Sequence, residues 1–127
     1  MIFDTDIIIW YLRGNIAAKK YIKKYVPFSI SVVTYMELIQ GMRNKEETRI
    51  FQKQMQNWNI DIIQIDKEIS SRAMFYVQEY ALSHSMELAD ALIAATTVQR
   101  GEILLTGNDK HYKFIPTLNC KRSKPDI

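Results

Sequence analysis

Residues 88–112 read LADALIAATTVQRGEILLTGNDKHY, and this one stretch decides the fold class. Its first half sets Leu88, Leu92, Ala95 and Val98 at helical intervals, which predicts a helix over residues 87–100. Gly101 stands where a helix would stop, because glycine enters the left-handed region without steric cost. The short apolar run Ile103–Leu105 then reads as a strand, closed by the turn residues Gly107 and Asn108. A helix that feeds at once into a short buried strand belongs to a parallel sheet covered on both faces.

The same alternation runs outward in both directions. Downstream, a final short strand is expected around Phe114–Leu118. Upstream, Ile60–Ile65 is predicted to be a strand, with Asp66 as the N-cap of a helix carrying Ile69, Ala73, Tyr76, Val77 and Tyr80. Residues 46–57 are charged and glutamine-rich, which suits a mostly exposed helix. Tyr35, Leu38, Ile39 and Met42 give Thr34–Met42 a helical spacing. Phe28–Val33 is apolar and β-branched, hence a strand. Ala17–Tyr25 reads as a basic amphipathic helix closed by Pro27, Ile7–Leu12 as a helical turn ending near Gly14, and Met1–Asp4 as a buried first strand. The expectation is one three-layer α/β/α domain over residues 1–127, with a central parallel sheet of four to five strands.

The composition leaves few other classes open. With 47% hydrophobic and 24% charged residues the chain is neither disordered nor collagen-like. Its single cysteine, Cys120, excludes an internal disulfide and a cysteine-rich zinc site, and points to a reducing compartment. The opening MIFDTD lacks the basic segment and apolar core of a signal peptide. Ile7–Leu12 is far short of the ~20 apolar residues that span a bilayer. A soluble, cytoplasmic protein with no membrane partner is expected. A net charge of +3 is compatible with a polyanion such as RNA.

In parallel α/β sheets, sites lie beyond the carboxyl ends of the strands. Asp4 and Asp6 follow the first strand. Glu37 comes just after the second, in the first turn of the next helix. Asp90 lies in the first turn of the late helix, and Asp109 just past the fourth strand. Carboxylates crowded without a cation repel and raise one another's pKa. Such a cluster suits a hard divalent ion, which takes one or two carboxylates and keeps several waters. Each acid also has a structural reading. Asp4 can cap the helix that follows. Thr34-Tyr35-Met36-Glu37 matches a capping box. Asp90 and Glu87 share a helix face near its positive end. Asp109 can be an ordinary turn residue.

The strings LADALIAATTVQRG, EILLTGNDKHY, MIFDTDIIIWYLRG and SVVTYMELIQG together resemble PIN-domain nucleases, in particular the ribonuclease toxins of VapBC-type toxin–antitoxin pairs. The resemblance covers Ile2 to about Leu118. It implies a Rossmann-like fold and a metal-dependent endoribonuclease using Mg²⁺ or Mn²⁺. It further implies a structured RNA such as tRNA as substrate, cut to 5′-phosphate and 3′-hydroxyl products. It also implies inhibition by a small antitoxin protein, and a homodimer. By position, Asp4, Glu37 and Asp90 match the catalytic, metal-binding acids, and Thr106 the threonine that shapes the site. Asp6 ranks as accessory. Where many family members carry an aspartate before an aromatic residue, this chain has His111 before Tyr112. Either Asp109, two residues earlier, completes the cluster as the fourth acid or the site works with three. Glu87 is a second candidate to fill the gap, and His111 is a candidate ligand or proton carrier. Arg13, Lys110, Lys121, Arg122 and Lys124 are candidates to hold the RNA backbone. Trp10, Tyr11, Met42, Met55 and Trp58 could seat a partner's helix, although core packing is the better reading for Trp10 and Met42.

Two other phosphate-handling readings fit less well. Asp4-Thr5-Asp6 is similar to the nucleophile motif of haloacid-dehalogenase phosphatases but lacks the glycine and threonine that follow it there. A response-regulator receiver leaves DALIAAT unexplained. The remaining alternative is a degenerate PIN module that binds RNA or protein without cutting.

Overall fold

The computed structural model describes residues 1–123, so Lys124 lies outside the described residues. The strands are short: β1 (Ile2–Phe3), β2 (Ser29–Ser31), β3 (Asp61–Ile63), β4 (Ile103–Thr106) and β5 (Asn119–Arg122). They pair in parallel in the order β3-β2-β1-β4-β5. The helices are α1 (Thr5–Leu12), α2 (Ile16–Tyr25), α3 (Val32–Gln40), α4 (Lys45–Asn57), α5 (Lys67–His84) and α6 (Leu88–Gln99). The chain therefore has the expected α/β/α layers around a parallel sheet, here of five strands.

Side chains alternate across each strand, so neighbouring residues feed opposite cores. Ile2 and Leu104 pack with α5 and α6 against Ile69, Ala73, Tyr76 and Ala94. Phe3, Ile30 and Leu105 pack on the other face against Ile7, Ile8, Ile22, Phe51 and Met55. There Phe3 stacks on Phe28 with ring centroids 3.8 Å apart. The alternation continues past the strand ends. It turns Asp4 and Thr106, the residues after Phe3 and Leu105, back to the α5–α6 side.

Several expectations are met at single residues. Asp66 caps α5, accepting from the Ile69 N–H at 2.8 Å. Gly101 has φ +62 and ends α6 in the left-handed conformation. Others need correction. Residues 114–118 form a turn and the last strand comes after it, at β5. Pro116 has no N–H to give a ladder, which disfavours a strand there. Strand β2 stops at Ser31, whose hydroxyl caps α3 by accepting from the Val33 N–H. The capping box at Thr34 is therefore not made, and Glu37 sits in the second turn rather than the first. Leu88, assigned to the buried stripe of α6, is 70% exposed. The helix is instead buried from Ala91 to Thr97 apart from Leu92, wedged between the sheet and α5. Thr96 and Thr97 survive that burial by donating to the carbonyls of Leu92 and Ile93. Met55 is core, not available to a partner, while Trp58 is half-buried against Tyr11 and Phe28. No helix among the described residues is long and apolar enough to cross a membrane.

Candidate active site

The strand order reverses between β1 and β4, and in such sheets the crevice that holds the site lies beyond the carboxyl ends at that point. Asp4 sits at its floor. Its backbone N–H still donates to the Leu105 carbonyl at 2.9 Å, which ties it to the sheet. Its Oδ1 accepts from the Thr5 N–H at 2.8 Å, capping α1 as one reading of the sequence had it. Its Oδ2 accepts from the Thr106 hydroxyl at 2.7 Å. Capping and facing the crevice thus coexist in one carboxylate.

Asp90 reaches the same crevice from the first turn of α6. Between the two acids stands Tyr112, fully buried, whose hydroxyl donates to Asp90 Oδ1 at 3.3 Å and faces Asp4. His111 Nδ1 lies 3.8 Å from the other oxygen of Asp90. Asp6 flanks the pair. Its Oδ2 accepts from the Gly107 N–H at 3.0 Å and from the Asn108 amide at 3.3 Å, and its Oδ1 is buried without a hydrogen-bond partner. Gly107 is obligatory for this contact. A Cβ there would lie 2.0 Å from the Trp10 ring and 2.9 Å from Asp6 Oδ2.

Glu37 and Asp109 are held differently. Glu37 Oε1 accepts from the Thr5 hydroxyl at 2.8 Å, so one threonine links it to Asp4. That hydroxyl also lies 3.0 Å from the Thr34 hydroxyl, which explains why Thr34 can be fully buried inside α3. Asp109 opens a short 3-10 turn (Asp109–His111), and its Oδ1 lies 3.7 Å from Arg122 Nε. Glu87 precedes α6, is exposed and makes no capping bond. Among the described residues, no three acidic, histidine or cysteine side chains close into a ready cation cage. The residues that sequence reasoning missed are Tyr112 and Thr5. Tyr112 was legible only as an aromatic beside His111, since a hydroxyl's partner across the fold leaves no periodic trace.

Burial dominates the electrostatics. It pushes the Asp4 carboxyl up, with the charge of Asp90 adding and the bonds from Thr106, Thr5 and Tyr112 opposing. Asp6 is pushed up to about 7, by burial first and then by the charge of Asp4. Asp90 is also raised by burial, while His111 and Tyr112 pull it back. The Tyr112 hydroxyl is driven well above its usual value by burial and by both acids, so it remains a donor. Carboxylates held where ionisation is costly form a site that a cation would complete.

Fold and site together define a Rossmann-like α/β/α protein with an acidic crevice at its topological switch point. The chain belongs to the PIN-domain family, whose model matches residues 1–115. It is similar to Ribonuclease VapC10 of Mycobacterium tuberculosis, with 32% identity over 122 residues, 93% of this chain and 90% of that protein. A chain of the toxin–antitoxin complex from Klebsiella pneumoniae is 30% identical with a TM-score of 0.74, covering 92% of this chain and 93% of that one. VapBC2 from Rickettsia felis, solved bound to a DNA fragment from its promoter, shares the fold at a TM-score of 0.78. Its identity is 19%, with 98% and 100% of the two chains covered.

Proposed function

We propose that the chain is an endoribonuclease, the toxin of a toxin–antitoxin pair, which cleaves RNA phosphodiester bonds with a divalent cation. The observation that carries this reading is the Asp4–Asp90 pair, two carboxylates from separate elements meeting at the switch-point crevice. The donor set fits Mg²⁺ or Mn²⁺, hard ions satisfied by one or two carboxylates and several waters. The unpartnered Oδ1 of Asp6 supports the fit, because a buried carboxylate oxygen without a donor calls for positive charge. A bound cation would supply a water of lowered pKa and positive charge against the phosphate. Asp4 and Asp90 would hold it, and Glu37, Asp109 and Asp6 would extend the acidic set. Thr106 and Thr5 fix the orientation of Asp4. Total tRNA is the first substrate to try. Cleavage is expected with Mg²⁺ or Mn²⁺ and none with EDTA, whereas cleavage undiminished by EDTA would refute the metal-dependent reading. A degenerate module that only binds is the second reading, motivated by His111 standing in the fourth-acid slot. Metal-independent retention of RNA without cleavage would favour it.

The surface supports RNA as substrate. Helix α2 carries Lys19, Lys20, Lys23 and Lys24 with no acid, and Lys24 and Lys121 both stand over the Tyr25 ring at 5.3 and 5.4 Å. Neither lysine has a carboxylate within 4.0 Å among the described residues, and Lys121 Nζ donates to the Tyr25 hydroxyl at 2.7 Å, so the ring holds two cations together on this surface. Each phosphate contact to a single strand steepens the dependence of log affinity on log salt by about 0.7. The double variant Lys24→Ala/Lys121→Ala should therefore flatten that slope by about 1.4 in binding titrations. An unchanged slope would remove these two residues from the RNA path.

An antitoxin has a seat as well. A groove of about 890 Å³ runs between α1 and the α3–α4 pair, floored by Leu12, Leu38, Met42 and Phe51, with Arg13 and Arg43 on its rim. Glu37 lines the same groove, so a helix lying in it would approach the acids. Met74, Phe75 and Leu82 on α5 are exposed apolar residues that a second copy would cover, in keeping with a homodimer.

A further inference from the structure

We propose that the hydroxyl of Tyr112 is a positioning group for the acidic pair, setting which oxygens of Asp4 and Asp90 remain free for a cation. The inference rests on the acidic-pair reading above and adds to it a residue that is not itself an acid. The Tyr112 ring is 1% exposed, in the same core as Ile2, Ala94, Leu104 and Ile115. Its backbone is held at both ends. Its N–H donates to the Asp109 carbonyl at 2.9 Å, and its carbonyl accepts from the Ile115 N–H at 3.0 Å. The hydroxyl therefore cannot swing out to water, and it meets only the site.

The oxygens of the pair can be accounted for one by one. Asp4 gives Oδ1 to the Thr5 N–H and Oδ2 to the Thr106 hydroxyl, and its carboxylate also meets the Tyr112 hydroxyl. Asp90 gives Oδ1 to Tyr112 and turns Oδ2 toward His111, 3.8 Å away. Removing the Tyr112 donor would free Asp90 to rotate about its side-chain bonds and would leave the two like charges facing each other with nothing between them. Phenylalanine would fill the same volume without the donor, so Tyr112→Phe isolates the hydroxyl from the packing. Groups that orient metal-binding carboxylates commonly govern metal affinity by about tenfold to a hundredfold when removed.

The test is Mn²⁺ binding to metal-stripped full chain, followed by electron paramagnetic resonance of the free ion, with melting temperature in EDTA measured alongside. Wild type, Tyr112→Phe and Asp90→Asn are compared. Tyr112→Phe should raise the Mn²⁺ dissociation constant about tenfold or more, while its melting temperature in EDTA moves by only a few degrees. Cleavage at limiting Mn²⁺ should fall with it and recover at high Mn²⁺, a rescue that lost packing would not show. Wild-type Mn²⁺ affinity in Tyr112→Phe, whatever its melting temperature, would overturn the proposal while leaving the acidic pair intact. Wild type binding no better than Asp90→Asn would sink the acidic-pair reading itself, and this inference with it.

Discussion

Asp90→Asn should lower RNA cleavage by about a thousandfold while leaving the protein folded. The exchange is nearly isosteric and keeps an oxygen that can accept from Tyr112, so the crevice retains its shape. What disappears is one of the two negative charges that meet there. Electrostatic groups aimed at the reacting centre in a partly dry site are commonly worth a hundredfold to a thousandfold each, roughly 3–4 kcal/mol of barrier. Losing a principal cation ligand falls at the upper end of that range.

The fold should not suffer, because the Asp90 carboxyl is raised by burial and is under strain when ionised. Neutralising it relieves repulsion with Asp4 and Glu87. Melting in EDTA should therefore occur at the wild-type temperature or slightly above it. This pairing of lost activity with retained stability separates a functional acid from a structural one. A structural carboxylate would lose stability first and activity only as a consequence. Cleavage by Asp90→Asn at the wild-type rate would remove Asp90 from the mechanism and bring the binding-only module forward.

The ease of reading this chain follows how local each interaction is. The α6–β4 unit was legible from residues 88–112 because a helix period, a glycine stop and an apolar strand are all encoded within a few positions. The cap at Asp66 was legible for the same reason. Asp4 and Asp90 stood out because they follow or begin elements at the sheet's carboxyl edge, where fold class alone predicts function. The errors came where the deciding partner is distant. Thr34 looked like a cap, but Ser31 takes that role and Thr34 lies inside α3, buried against the hydroxyl of Thr5 from α1. Leu88 fitted the α6 stripe, but the stripe is not what buries a helix wedged between a sheet and another helix. The strand that supplies Arg122, the partner of Asp109, comes several residues later than expected, after the turn at Pro116. Tyr112 carried no signal because its significance lies in two acids far from it in sequence.

The metal-free protein should be most stable in mild acid and lose stability as pH rises toward 8. Asp4 and Asp6 are both harder to ionise in the fold than in the unfolded chain. The folded state therefore binds protons more tightly, and the stability this contributes is complete below the ordinary carboxylate value. It drains away as pH climbs through the folded values, which for Asp6 means through about 7. A displacement from 3.8 to about 7 corresponds to at most roughly 4 kcal/mol. More than half of that is already lost by pH 5.5, and the remaining span up to about 7 carries roughly 2 kcal/mol. Solvent near the site reduces this, so about 1–2 kcal/mol is expected between pH 5.5 and pH 8, or a fall in melting temperature of about 5 °C. Asp6→Asn should flatten much of the slope, because the amide oxygen still accepts from Gly107 and no proton need be lost. Saturating Mn²⁺ or Mg²⁺ should act in the opposite sense, stabilising the protein more at pH 8 than at pH 5.5, since the cation needs the ionised carboxylates. Calorimetry at the two pH values, with EDTA and then with Mn²⁺, measures both slopes. A metal-free melting temperature that rises with pH would show that these acids are ionised at little cost, and the crevice would then be an ordinary solvated surface.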